Sequence, residues 1–409
     1  MYATYGTKIV DGEVPYRDFA MEYPPAAAAM FALPATRLVA GGRTDGASWA
    51  PLNAAGRRYY RSFESLVALL MAAILVLTAL TLQTMRRPGG IVASALCLVA
   101  LSPLLIGRVL PERFDVWPAA LTAAALAVAV RGRLRSGAAL LGVGAAAKIY
   151  PLVLVPVVAI VALRRRGRRE ALAVAASSLA ALVVVFLPFA IVSPSGTWHS
   201  VRSQFAGGTQ IESVAASIVV GIAHVGNTFG LPVLPRPSSF ATQAAGGGLI
   251  RIDLVGPGVG ALTALFDALL AGTLLLVWFR LQKSRRDGRE DLLRYGAGTI
   301  ATVLVLGTVL SPQYVVWLIP LVPLVGGARG VAAMLLLALA AGLTNIWIPD
   351  HYFAYQSRLG SGPTALLVAR NVTLAALALV LLLPGGRALR ASCGHPDAEG
   401  PDRGGSGPS

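Results

Sequence analysis

RGRLRSGAALLGVGAAAKIYPLVLVPVVAIVALRRRGRR, residues 131–169, decides the fold of this chain. Its ends are arginine clusters, and the interior is apolar except for Ser136, Lys148 and Tyr150. By length the apolar run 137–163 could cross a bilayer once, since about 20 helical residues suffice. Arginine-rich connectors, however, stay on the cytoplasmic side. With a cluster at each end, a single crossing is excluded. The run is also interrupted at Lys148-Ile149-Tyr150-Pro151, where proline removes a helix donor. The stretch therefore predicts two half-helices in a hairpin with Lys148 at the tip. Irregular backbone at membrane depth is tolerated only where it is buried in protein or lines a cavity.

The rest of the chain agrees with a membrane setting. Of the 409 residues, 56% are hydrophobic and only 13% charged, against about 25% charged in soluble domains. Apolar runs at 65–83, 91–110, 171–192, 258–280, 293–310, 331–348 and 363–384 each approach the span length. The expected class is an all-α polytopic membrane protein. The net charge of +16 resides in short connectors such as Arg86-Arg87 and 280–289, which makes it a topology signal. No aromatic residues interleave with these arginines, so a nucleic-acid partner is not expected, whereas membrane lipids are. Cys97 lies in an apolar run and Cys393 in the polar tail, which builds neither a disulfide nor a metal site. No cleavable signal peptide precedes the first polar segment. The Ala/Gly/Arg-rich, Lys-poor composition suggests a high-GC bacterium, so a bacterial plasma membrane is the expected location.

These signals divide the chain into an outer loop with a juxtamembrane helix (1–64), a transmembrane domain (65–389) and a disordered cytoplasmic tail (390–409). The juxtamembrane helix, 26–40, contains Pro34 and must not span if the sidedness is to hold. A second broken hairpin is expected over 294–326, interrupted at Ser311-Pro312-Gln313-Tyr314. Residues 193–257 read as an external segment with one apolar helix near 213–226, and 349–362 as an external loop.

This topology gathers the polar residues of the apolar half on the outer face. The segment 11–25, DGEVPYRDFAMEYPP, brings Asp11, Glu13, Tyr16, Asp18 and Glu22 to the membrane surface. Arg113 and Asp115 head the helix from 116. The carboxylate there suits a cap, but the arginine calls for an anion or acid partner. Lys148 costs several kcal/mol at membrane depth unless it is paired or faces water. Either Asp115 pairs with it or it holds a phosphate as a point charge. Arg202 with Gln210-Ile211-Glu212-Ser213 could hold an anion or simply cap the 213–226 helix. Gln313 and Tyr314 line the second break, with Trp317 readable as an interface aromatic. Arg370-Asn371, a third of the way into the last apolar run, suggests a functional or paired role, and His351 is the one histidine retained.

With these residues in place, the chain resembles the bacterial integral-membrane glycosyltransferases of family 87. These have the GT-C architecture and include polyprenol-phosphate-mannose-dependent α-1,2-mannosyltransferases. The resemblance rests on Gly12-Glu-Val-Pro-Tyr-Arg-Asp-Phe19 with Glu22-Tyr-Pro-Pro25, Arg113-Phe-Asp115, Lys148-Ile-Tyr-Pro151, Gln210-Ile-Glu-Ser213 and Ser311-Pro-Gln-Tyr314, in order across nearly the whole chain. It implies about ten or eleven membrane helices, some short and broken. It implies transfer of a sugar, mannose before others, from a polyprenyl-phosphate donor to a glycolipid or glycan acceptor on the outer face, with inversion. A carboxylate of the first outer loop would be the general base, with Asp18 and Glu22 as candidates. Lys148, Arg113 and Arg202 would face the donor phosphate. Tyr16, Asp115, Tyr150, Gln210, Glu212, Gln313, Tyr314, His351 and Arg370 would line the cavity. No cofactor and no metal are expected. Family members also carry a helix ahead of the position of Tyr2, followed by the acidic residue that is the expected base. This chain has neither, so the true start is expected upstream. The competing readings are a lipid or glycan transporter, which would also use broken helices, and a structural scaffold, which the buried charges argue against.

Overall fold

The computed structural model describes residues 1–36, 54–205, 207–231, 235, 240–244, 252–348 and 350–383. The chain is an all-α polytopic membrane protein. Helices α1 (Tyr2–Val10) and α2 (Ala27–Ala35) precede α3 (Ala54–Thr84), α4 (Gly89–Ile106), α5 (Val116–Val130), α6 (Leu134–Ala145) and α7 (Val155–Arg166). Then come α8 (Arg168–Val192), α9 (Pro194–Ser203) and α10 (Val214–Thr228), followed by the antiparallel strands β1 (Ala241–Ala244) and β2 (Ile252–Val255). The last helices are α11 (Val259–Lys283), α12 (Gly288–Leu306), α13 (Gly327–Trp347), α14 (Asp350–Arg358) and α15 (Ser361–Leu382). Among the described residues, six helices are long and apolar enough to cross a bilayer, and four shorter apolar helices accompany them. Along α8, Leu172, Leu179, Val184, Leu187 and Ile191 are exposed. Such a surface is stable only where hydrocarbon is the solvent, and the helix satisfies its own backbone there.

Both broken hairpins form. In the first, α6 ends at Ala145, a turn carries Lys148, and a 3-10 segment, Tyr150–Leu154, leads into α7. Pro151 sits in the first turn of that segment, where its missing N–H leaves nothing unpaired. Arg166 at the end of α7 donates to the Gly132 carbonyl ahead of α6, at 3.1 Å, so the two arginine clusters lie side by side. Helix α6 packs on α8 through Gly142, where a Cβ would fall 2.2 Å from the Ser178 carbonyl oxygen. In the second hairpin, α12 ends at Leu306 and 3-10 segments Pro312–Leu318 and Val322–Leu324 return the chain. Arg87 closes it, donating to Glu290 at 2.7 Å and to the Leu324 carbonyl at 3.2 Å.

These closures create an arginine face. Arg164 pairs with Asp291 at 2.6 Å, Arg165 with Asp287 at 2.7 Å, and Arg135 and Arg166 both with Glu170. Arg294 donates to the carbonyls of Leu381, Leu382 and Leu383, satisfying the open C-terminus of α15.

Several expectations need correction. The helix expected from 65 begins at Ala54, so the domain boundary at 65 falls inside α3. Within 1–25, residues Tyr2–Val10 are helical, not loop. Segment 349–362, expected as a loop, contains α14, and 193–257 holds α9 and a two-stranded ribbon besides α10. Helix α2 has nine residues, about 14 Å of rise, and does not cross on its own; residues 37–40 of the expected 26–40 helix lie outside the described residues. So does the tail 390–409, with Cys393.

Candidate functional site

At the end of the bundle away from the arginine face, three motifs distant in sequence meet. Asp115 occupies the N-cap position of α5 but makes no side-chain cap bond. Its Oδ1 instead accepts from Lys148 Nζ at 2.6 Å and from Trp317 Nε1 at 2.8 Å. The capping expectation for Asp115 is thus corrected, because a buried ammonium outcompetes the helix donors. Lys148 is brought there by the first hairpin turn, its N–H bonded to the Gly144 carbonyl. Its ammonium lies 4.6 Å from the Tyr314 ring centroid, 5.1 Å from Phe114 and 5.3 Å from Trp317. Such cation–π contacts strengthen when desolvated. Tyr150 and Tyr314 stack on opposite sides in the ring series, 4.2 Å and 3.9 Å from Trp317. The Tyr150 hydroxyl bonds Thr122 Oγ1 at 3.1 Å, which fixes that end of the stack.

The pair alone does not explain why it is kept. At 2.6 Å and an effective dielectric near 20, the attraction is about 6 kcal/mol, while desolvation costs several kcal/mol for each ion. The balance is close to even, so the pair adds little stability. Asp115 Oδ2 is also buried, with no hydrogen-bond partner among the described residues. An arrangement that contributes little and leaves an acceptor open suits a group that changes partners.

Arg113 lies in the same region, beside Tyr2, Tyr23 and the Asp115 carboxylate. Tyr2, Tyr23, Phe31 and Phe114 form an aromatic wall there, with Tyr23 and Phe114 centroids 4.7 Å apart. The second break ties the cluster to the 210–213 motif. Gln210 donates its backbone N–H to the Thr308 carbonyl at 2.8 Å and its Nε2 to Ser311 Oγ at 3.0 Å. Ser213 caps α10, accepting from the Ala216 N–H at 3.1 Å, so its capping role is borne out. Glu212 is buried beside Tyr352, Tyr355 and Arg370. Arg370 is fully buried and donates to the Glu212 carbonyl at 2.7 Å and to Asn371 Oδ1. Asn371 donates to Ser217 Oγ at 2.8 Å. This dipeptide pins α15 to the start of α10.

The first loop holds two carboxylates in contrasting states. Asp18 is exposed, bound by both Arg17 nitrogens at 2.8 Å and by the Val14 N–H at 2.7 Å. The Arg17 hydrogen bonds, then the Val14 N–H, lower its pKa to about 2, which makes it a feeble base. Glu22 is half-buried, and its carboxylate has no hydrogen bond or ion pair among the described residues. Burial raises its pKa above the usual value, offset in part by His199. Its backbone carbonyl is gripped by Gln204 Nε2 at 2.7 Å and Ser203 Oγ at 3.3 Å, which fixes the residue in place. Tyr16 adopts φ 68°, unusual for a non-glycine residue. Its carbonyl accepts from Ser193, its ring meets Phe189 edge-on, and Gly196 approaches so closely that a Cβ would fall 2.4 Å from the Tyr16 oxygen. Tyr16 shapes the loop and lines a cavity of about 340 Å³ with Asp18 and His199.

Three expected residues are not drawn into the cluster. Arg202 is exposed near the end of α9, with no ion pair among the described residues. Gln313 is half-buried and makes no side-chain hydrogen bond among them. His351 Nδ1 meets the Ile346 carbonyl at 3.1 Å. Sequence reasoning missed Trp317 as a ligand of Asp115, and also Phe114, Thr122 and His199. Among the described residues, no three His, Cys, Asp or Glu side chains are grouped to hold a metal. No protein-family model matches the chain, and no curated protein matches it.

Proposed function

We propose that this membrane protein is a GT-C type glycosyltransferase taking a sugar, mannose first, from a polyprenyl-phosphate donor to a cell-envelope glycolipid or glycan on the outer face of the bacterial plasma membrane. The observation that carries the reading is the Lys148 ammonium, buried in an aromatic cage at the tip of a broken hairpin with Asp115 as its one ion-pair partner among the described residues. A phosphate entering the cluster would compete with Asp115 for that ammonium, with Arg113 beside it. The acceptor hydroxyl attacks the anomeric carbon, the bond to the phosphate oxygen breaks, and the electron pair leaves with polyprenyl phosphate. Lys148 and Arg113 stabilise the charge that develops there. The leaving phosphate needs no proton, so one base suffices. Glu22 fits that role better than Asp18, because its carboxylate carries no competing hydrogen bond among the described residues and burial makes it the stronger base.

The test is direct. Membranes containing the chain, incubated with radiolabelled polyprenyl-phosphate mannose, should yield labelled glycolipid. Glu22→Gln should lower turnover about 10²–10⁴-fold, the usual contribution of a general base. The base must be ionised, so activity should fall with decreasing pH through an inflection above 4.5, the ordinary glutamate value. No transfer from any lipid-phosphate sugar would defeat the reading, and a flat acidic limb would remove Glu22.

A further inference from the structure

The arginine face holds a cavity whose arginines form no ion pair among the described residues. It measures about 160 Å³ and is lined by Arg286, Arg294, Arg329, Glu290, Asp291 and the 325–328 turn. Both acids are engaged by arginines of other elements, Glu290 with Arg87 at 2.7 Å and Asp291 with Arg164 at 2.6 Å. Arg286, Arg294 and Arg329 form no ion pair among the described residues. Arg294 feels the positive charge of Arg329 and of Arg286, opposed by the negative charge of Asp291, and Arg329 feels the positive charge of Arg286. The hydrogen bonds that two of them make go to neutral groups: Arg294 to the carbonyls of residues 381–383, and Arg329 to the Leu383 carbonyl at 2.7 Å. A helix C-terminus carries about half a negative charge, too little to balance three guanidinium groups.

We infer that this cavity binds the phosphate of an anionic phospholipid headgroup. Guanidinium forks match phosphate oxygens two at a time, and Arg keeps its charge when partly buried. The cavity lies where α12 and α13 begin and α15 ends, the depth of the headgroups in a protein whose helices cross the bilayer. Leu379 and Leu383 of the adjoining helix end are exposed and offer an apolar surface to an acyl chain. A free phosphate shares the recognition chemistry but would gain nothing from those leucines. The site is independent of the sugar-transfer proposal and lies at the other end of the bundle.

Native mass spectrometry of the full chain in detergent can test this with three probes: phosphatidylglycerol, phosphatidylcholine and inorganic phosphate. Phosphatidylglycerol should bind, and phosphatidylcholine much less. Arg286→Gln with Arg329→Gln should weaken phosphatidylglycerol about 30-fold, from the usual contribution of each interfacial arginine. Arg294 is left intact because it holds the end of α15. Should the double variant fail to fold, Arg286→Gln alone removes an exposed side chain and should weaken binding about fivefold. Phosphate binding as tight as the lipid would support the anion site and assign its source to solution. Equal retention of the two lipids, or unchanged phosphatidylglycerol binding in the variants, would overturn the inference. Phosphatidylglycerol binding only after residues 390–409 are removed would overturn it too, because the carboxylates of Asp397, Glu399 and Asp402 would then be the occupants.

Discussion

The two ends of the bundle handle charge in opposite ways. At the arginine face, five ion pairs cross-link the helices, and in each at least one side chain is 12% or more exposed. At the other end the first loop adds two exposed pairs, Lys8–Glu13 and Arg17–Asp18, while the buried pair, Lys148 with Asp115, is 10% and 1% exposed and walled by rings. Exposed pairs contribute about 0–1 kcal/mol each and can be lost singly. A buried pair gains little when intact, yet breaking it from one side leaves a bare charge. Redundant charge therefore fits an end that fixes orientation, and a lone caged pair fits an end that recognises a ligand.

The sharpest way to break this contrast is Lys148→Ala. It should destabilise the fold by about 3–5 kcal/mol, read as a lowered midpoint in thermal unfolding in detergent. Replacing both partners, Lys148→Met with Asp115→Leu, should restore most of that loss, since the intact pair is near break-even. Recovery would separate a functional pair from a structural one.

Next in size is Gly196→Ala. Its Cβ would meet the Tyr16 oxygen at 2.4 Å, so it should cost about 1–3 kcal/mol by overpacking and lower transfer by displacing the loop that carries Glu22. At the arginine face, Arg135→Gln removes a pair whose arginine side chain is 61% exposed. It should change stability by no more than about 1 kcal/mol and leave transfer intact. A loss at Arg135 as large as at Lys148 would erase the distinction between the ends. Smallest is the pH effect of Asp18. Its pKa is lowered from 3.8 to about 2, so its stabilising contribution is complete above pH 3.8 and fades as pH falls through 2. Arg17→Gln should move that window upward in an NMR titration of Asp18.

How much of this was legible in the sequence depends on how local the cause is. The first hairpin could be read because Pro151 and two arginine clusters sit within one stretch, and positive-inside bias with helix breaking leaves one solution. The Lys148–Asp115 pair could be named because membrane depth demands a partner. Trp317 could not be placed, since a tryptophan that bonds a carboxylate and one that sits in the interfacial belt have the same sequence surroundings. Helices α1 and α14 were missed because they are nine residues each, too short to be stable without tertiary packing. Arg370 stood out by depth, but its role did not: it bonds a carbonyl 158 residues away, a relation that no local pattern encodes. The contrast between Asp18 and Glu22 was likewise invisible, because a neighbouring arginine quenches one and burial sets the other apart.

The measurement that tests the central claim most directly is polyprenyl-phosphate binding to the folded Lys148→Met/Asp115→Leu variant, by native mass spectrometry beside the wild type. If the caged ammonium is the phosphate ligand, the variant should keep its unfolding midpoint and lose at least about tenfold in affinity, the 1.4 kcal/mol of one charge-assisted contact. Wild-type affinity in a well-folded variant would contradict the account and reduce the Lys148 cluster to packing.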